Sequence, residues 1–197
     1  GDQIKGQVGF ATYTGGVWNG SLQYLTPGLG YMYYSGNAAN TGFSYPSQYL
    51  GQLRSSKSDE ENQTQRWSVD VAKYQMSMTV TGVANIDNVE VANTDLQLAV
   101  FIGEECRGTA TLKYTENYNR YMAYLMIWGN VDDVNKKITF RSFKSANNQE
   151  LKAVDESLVY IPDNITGSPA NPYPIRFVTS GNNDLSISDI NIYPNPV

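Results

Sequence analysis

Histidine is absent from this chain of 197 residues and cysteine occurs once, as Cys106. Without imidazole there is no histidine metal ligand, no general base poised near neutral pH and no histidine pH switch. A serine or cysteine nucleophile would lack its usual partner. One cysteine forbids an intrachain disulfide and says little about compartment. No apolar run approaches the ~18 residues of a membrane-spanning helix, and Gly1-Asp2-Gln3 does not open a basic-then-apolar export signal. Lysine and arginine are scattered within a net charge of -5. That leaves no phosphate-neutralising face for nucleic acid and nothing to draw the chain to an anionic membrane. Glycine-rich phosphate loops, zinc spacings and dinucleotide fingerprints are missing too, so no cofactor is expected.

What the chain does have is 15 tyrosines, three tryptophans and 17 glycines, a composition of strands and turns. In Leu96–Ile102, Leu96, Leu98, Val100 and Ile102 alternate with Gln97, Ala99 and Phe101, a period-two core strand. Gly103 closes it, Glu104 and Glu105 turn in water, and Cys106, Gly108, Ala110 and Leu112 are expected to resume the inward pattern on a second strand. Arg120 to Trp128, apolar on both faces, reads as a second central strand. Further strands are expected at Trp67–Val71, where Trp67, Val69 and Val71 alternate with polar residues, at Met76–Thr81, at Ile138–Phe143, near Leu158–Ile161 and at Ile175–Phe177.

The fold class is therefore all-β: an antiparallel β-sandwich, Ig-like or jelly-roll-like, over 67–178. A small aromatic, glycine-punctuated β unit over 1–53 is too small to fold alone and is expected to pack on it. Within this unit Ile4–Tyr13 contains a strand that Thr14-Gly15-Gly16 turns, and Thr26-Pro27-Gly28-Leu29-Gly30 reads as a turn in which Gly28 and Gly30 are structural. The polar stretch 54–66 reads as a linker or loop. Residues 179–197 read as a linker that stops just as alternation resumes, so further protein is expected beyond it.

Two stretches carry a resemblance. Trp18-Asn19-Gly20-Ser21-Leu22 with Leu25 to Ser35, followed by Ala99-Val100-Phe101-Ile102-Gly103-Glu104-Glu105-Cys106-Arg107-Gly108, resembles modules in large surface or secreted proteins of Bacteroidetes. Tyr193-Pro194-Asn195-Pro196 is similar to the opening of the C-terminal sorting domain used by type IX secretion. The likeness covers most of the chain loosely and is firmest near its start and middle. It implies an extracellular or outer-surface location, with other domains of the same polypeptide upstream and downstream. It implies no particular ligand or reaction.

Trp18, Tyr31, Tyr33 and Tyr34 could form an aromatic platform for a sugar or peptide, or pack the N-terminal unit onto the sandwich. Trp128 with Asn130 and Asp132 could form a carbohydrate wall at a strand end, or cap the core there. Glu104 and Glu105 point opposite ways in a strand and make no matched acid–base pair. Asp87, Glu90 and Asp95, or Asp132 and Asp133, could offer oxygen ligands to calcium but lack the EF-hand pattern and read as ordinary acidic loops, so no metal is expected. Cys106 is expected to be a buried inert thiol, with Arg107 facing away from it, and Gly103 and Gly108 to be structural.

The expected function is a non-catalytic scaffold or adhesion module, with a glycan or a surface protein as partner. The alternative is a carbohydrate-binding module. A hydrolase, less favoured, would bring two of Glu104, Glu116, Asp132, Asp133 and Glu156 into one cleft. A spacer would bury Trp18 and Trp128, whereas a binding module would expose at least one of them beside polar groups.

Overall fold

The computed structural model describes residues 1–7, 9–36, 65–154 and 157–179. Apart from 65–66 and Thr179, the expected linker 54–66 and tail 179–197 lie outside these residues. So do Glu156 and the sorting-domain motif Tyr193, Pro194, Asn195 and Pro196.

The chain is all-β, a β-sandwich of a small sheet and a large curled one. The small sheet holds β1 (Gln3–Lys5), β2 (Phe10–Thr14), β3 (Val17–Gly20) and β4 (Met32–Tyr34), all pairing antiparallel in the order β3-β2-β1-β4. The segment Ile4–Tyr13, expected to contain a strand, spans the hairpin between β1 and β2. Gly6 N–H donates to the Gly9 carbonyl at 2.8 Å and folds the chain back.

The large sheet holds β5 (Met76–Ile86), β6 (Val89–Glu90), β7 (Leu96–Ile102), β8 (Glu105–Thr115), β9 (Arg120–Gly129), β10 (Ile138–Lys144), β11 (Gln149–Lys152), β12 (Ile165–Thr166) and β13 (Tyr173–Phe177). Its order is β11-β10-β7-β8-β9-β5, with β12 and β13 laid parallel to β5 and β6 antiparallel to it. The sheet curls until Ala153, just past β11, bridges to Phe177 of β13, where Val154 N–H donates to the Arg176 carbonyl at 2.9 Å. Between β5 and β6, Asp87 and Asn88 take φ of 50° and 66°, the left-handed pair of a tight hairpin turn that short polar side chains tolerate.

Period-two alternation puts Met78, Val80, Leu98, Val100, Leu125, Ile127, Ile138 and Phe140 inside the curl with Tyr160, Ile175 and Phe177. Each such buried aliphatic or aromatic side chain contributes ~1.5–3 kcal/mol. The convex face is covered as well. Phe10 of the small sheet packs on Val83, Met122, Tyr124 and Met126, meeting Tyr124 edge-to-face at 6.0 Å. Gln3 bonds Thr79, and Lys5 reaches the Ser77 carbonyl and Asp163.

Over β7 and β10 the cover is residues 66–75, which do not form the strand that Trp67, Val69 and Val71 suggest. This segment is a strap, ending in a 3-10 turn at Val71–Lys73. Its backbone is held by side chains rather than by a ladder: Gln97 accepts from Arg66 N–H at 2.9 Å and donates to the Trp67 carbonyl at 3.2 Å. Trp67 then stands edge-on to Phe101 at 5.9 Å and Phe143 at 6.1 Å. Near Leu158–Ile161, where another strand was expected, there is an isolated bridge between Lys137 and Val159.

Candidate functional site

The register of the small sheet sorts the predicted aromatics by face. Phe10, Thr12, Gln3 and Asn19 face the large sheet and are buried. Tyr13 and its partner Trp18 point the other way, with ring centroids 5.3 Å apart and exposures of 41% and 45%. Tyr33, paired with Ile4, shares that outer face and is 44% exposed. Its hydroxyl donates to Asp2 at 2.6 Å, and this bond with the Gly36 amide holds the Asp2 carboxyl below the usual carboxylate range. The outer face is thus a flat patch with aromatic residues at both ends, Trp18 on β3 and Tyr33 on β4. Three strand spacings, ~14 Å, separate these ends.

The other predicted contacts lie elsewhere. Tyr34 is exposed on the opposite face of β4, beyond the edge of the large sheet. Tyr31 closes the turn before β4, its hydroxyl oxygen accepting from Thr26 N–H at 2.7 Å. Gly28 in that turn has φ of 86°, whereas Gly30 meets no neighbour and has no left-handed backbone. Trp128 is half-buried on the convex face of β9 beside Met126 and Tyr124. Asn130 is engaged with the strap, accepting from Gln75 N–H at 3.1 Å and donating to the Lys73 carbonyl at 3.2 Å. Asp132 is exposed on the 3-10 turn Val131–Asp133.

Two clefts lie along the seam between the sheets. One, of about 420 Å³, runs between edge strand β3, including Trp18, and Lys113–Asn117. The other, of about 360 Å³, lies among Trp128, Tyr124, Thr109 and Thr111 with Ser68 and Val69 of the strap. Lys113 and Tyr124 line both.

The largest departure from expectation is a bulge in β8. Gly108 pairs with Val100 but Cys106 with Phe101, so Arg107 is the extra residue. Cys106 therefore faces the convex side with Phe101, half-buried, rather than continuing the inward row of Gly108, Ala110 and Leu112. Burial raises its thiol pKa. Arg107 is 7% exposed and forms a two-pronged pair with Asp133, itself 4% exposed, at 2.8 and 3.3 Å. Glu105 adds a contact at 3.1 Å, and the Tyr74 ring lies 4.4 Å from the guanidinium carbon. Tyr74 hydroxyl donates to Glu105 at 2.7 Å. Burial by itself would raise the Asp133 pKa, but the Asn130 amide, Lys136 and Arg107 outweigh it and hold the carboxyl below its ordinary value.

No family model, no curated protein and no solved structure matches this chain.

The remaining carboxylates disperse. Glu104 pairs with Arg141, Glu90 with Arg120, and Asp87 accepts from Thr179. Of the hydrolase candidates, Glu116 lines a cleft and Glu104, Asp132 and Asp133 line neither. Among the described residues no three His, Cys, Asp or Glu side chains converge as a metal site would require. No helix among them is long and apolar enough to cross a membrane.

The buried Arg107–Asp133 pair escaped sequence reading because alternation assigns Arg107 to the solvent side unless a bulge is known. One signal was legible: Asn130 and Asp133 stand three apart, the spacing at which a side chain caps a helical turn, and here Asn130 N–H donates to Asp133 at 3.0 Å.

Proposed function

We propose that this chain is a non-catalytic adhesion module of a surface or secreted protein and that its ligand is a glycan held on the outer face of the small sheet. The observation that carries the reading is the exposed Tyr13–Trp18 pair on the outer face of the small sheet. Isolated exposed aromatics need no explanation, but two in ring contact on a flat strand surface offer the apolar faces on which pyranose rings stack. Across the sheet, Tyr33 and Asp2 supply a hydroxyl and a carboxylate for sugar hydroxyls. The strands fix these groups in advance, so little conformational entropy is lost on binding. The likeness to Bacteroidetes surface modules agrees with an extracellular setting.

The test is a glycan array probed with the chain and with Trp18→Ala and Tyr13→Ala, both outward-facing changes that should leave folding intact by circular dichroism. Saturable binding that falls at least tenfold in either folded variant supports the reading. Binding that is unchanged in both, or absent across the array, overturns it in favour of a passive spacer or an adhesin for protein.

A further inference from the structure

The cleft between strap and convex face is a separate feature, with neither Tyr13 nor Trp18 in its lining. It is built from both ends. Trp67 and Arg66 fix the strap over β7 and β10, while Tyr74 and Gln75 fix it to Arg107 and Asn130. Ser68 and Val69 therefore stand as a fixed wall opposite Thr109, Thr111 and Trp128. Hydroxyl and aromatic groups thus converge on about 360 Å³, within the size range of small-molecule sites.

Its charge is distinctive in a chain of net charge -5. Lys113 is the one charged side chain in the lining among the described residues. Lys113, like Lys137 and Lys144, has no ion-pair partner among the described residues, and of these three it is the one that lines the cleft. An unpaired cation beside hydroxyls and an indole suits a ligand with one negative charge, several hydroxyls and a ring.

We propose that this cleft is a second binding site, for an acidic saccharide: a sugar whose carboxylate meets Lys113 while its ring lies along Trp128 and its hydroxyls meet Thr109, Thr111 and Ser68. The assignment stands on Lys113, Trp128 and the strap; Trp18 and Lys113 meet along the neighbouring cleft, so Tyr13, which lines neither cleft, marks the outer face alone. It also commits to charge, whereas stacking on Tyr13 and Trp18 does not. Lys113 is exposed and belongs to no buried cluster, so substitutions there leave the fold unchanged.

The experiment is isothermal titration calorimetry with a panel of short acidic oligosaccharides: oligogalacturonate, oligomannuronate and sialyllactose. Each is paired with its counterpart in which the carboxyls are reduced to alcohols. At least one acidic member is expected to bind saturably, at least tenfold more tightly than its reduced counterpart. Lys113→Gln should abolish that preference, Lys113→Arg should retain it, and Tyr13→Ala should leave it untouched. Added salt should weaken the acidic ligand and spare the reduced one. Equal affinity for acidic and reduced forms, full binding by Lys113→Gln, loss of binding in Tyr13→Ala, or no binding by any acidic member up to millimolar concentration each overturns the assignment.

Discussion

Asp133→Ala takes the two-pronged partner away from a guanidinium that cannot reach bulk water. In the folded chain Arg107 donates to Asp133 at 2.8 and 3.3 Å, and Asn130 N–H donates to the same carboxylate at 3.0 Å. Truncating one member of a buried pair costs about 3–5 kcal/mol, chiefly because the other charge stays desolvated. Glu105 remains 3.1 Å from Arg107, so the lower end, about 3 kcal/mol, is expected. Removing the cation as well reverses part of the damage. Arg107→Met with Asp133→Ala should be at least ~1 kcal/mol more stable than Asp133→Ala alone, since no charge is then buried unpaired. Urea unfolding with unchanged m-values gives both numbers from the midpoints. A loss below ~1 kcal/mol in Asp133→Ala, or a double variant weaker than the single, would refute the claim that this pair is a desolvated couple. The pH dependence has a definite sign. The Asp133 carboxyl titrates below its unfolded value, so its contribution is present above pH ~4 and lost as pH falls through the folded pKa. Asp133→Asn should therefore flatten the acid limb of the stability curve.

Gly108→Ala should destabilise by about 3 kcal/mol in the same urea assay, because an added Cβ would run into the Met126 carbonyl oxygen, which is backbone and cannot step aside. The Tyr160 hydroxyl is pushed up to about 12 by burial and the negative Asp133 and Asp163. Tyr74 is pushed up to about 12 by burial and its bond to Glu105. For these phenols stability is complete below the unfolded pKa of ~10 and declines as pH rises from ~10 towards the folded value. Tyrosinate absorbance should show late-titrating groups, Tyr124, also raised by burial, among them, and one of them should be missing in each of Tyr74→Phe and Tyr160→Phe; titration of all tyrosines near pH ~10 in the folded chain would contradict this. Trp67→Ala should cost about 2–3 kcal/mol and make the strap protease-sensitive between its anchors, since the indole bridges Phe101 and Phe143; limited proteolysis reads the second effect.

Strong alternation was legible where one face of a strand meets the core, and Leu96–Ile102 and Met76–Thr81 follow it. It misled at Trp67, Val69 and Val71, where the pattern is strand-like but the backbone has no neighbouring strand to bond. The Gln97 side chain takes two of its polar groups instead, a long-range contact that local pattern does not encode. The parallel pairing of β12 and β13 with β5 was equally hidden, because pattern gives strands and not their partners. Of the site, exposed Trp18 and half-buried Trp128 were singled out by type, but the register that puts Tyr13 beside Trp18 and sends Tyr34 to the other face depends on where the hairpin turns. The turn at Gly15 and Gly16, both at positive φ, pairs Tyr13 with Trp18, and the pairing of β4 with β1 sets the face of Tyr34.

The layering also explains why aromatic residues are spare on the small sheet. The concave side of the large sheet is filled by its own core, and the convex side is covered by the strap over β7 and β10 and by the small sheet over β5 and β9. Between these covers the convex side of β8 stays open, where Thr109, Thr111 and Lys113 line a cleft. Contacts must fall on the outer face of the small sheet, on the seam between layers, or on loops. Tyr13, Trp18 and Tyr33 occupy the first of these and Lys113, Trp128 and the strap the second. Burying the outer tyrosines would need a further layer. Leaving them on a strand surface forgoes ~1.5–3 kcal/mol for each large side chain that could otherwise be buried.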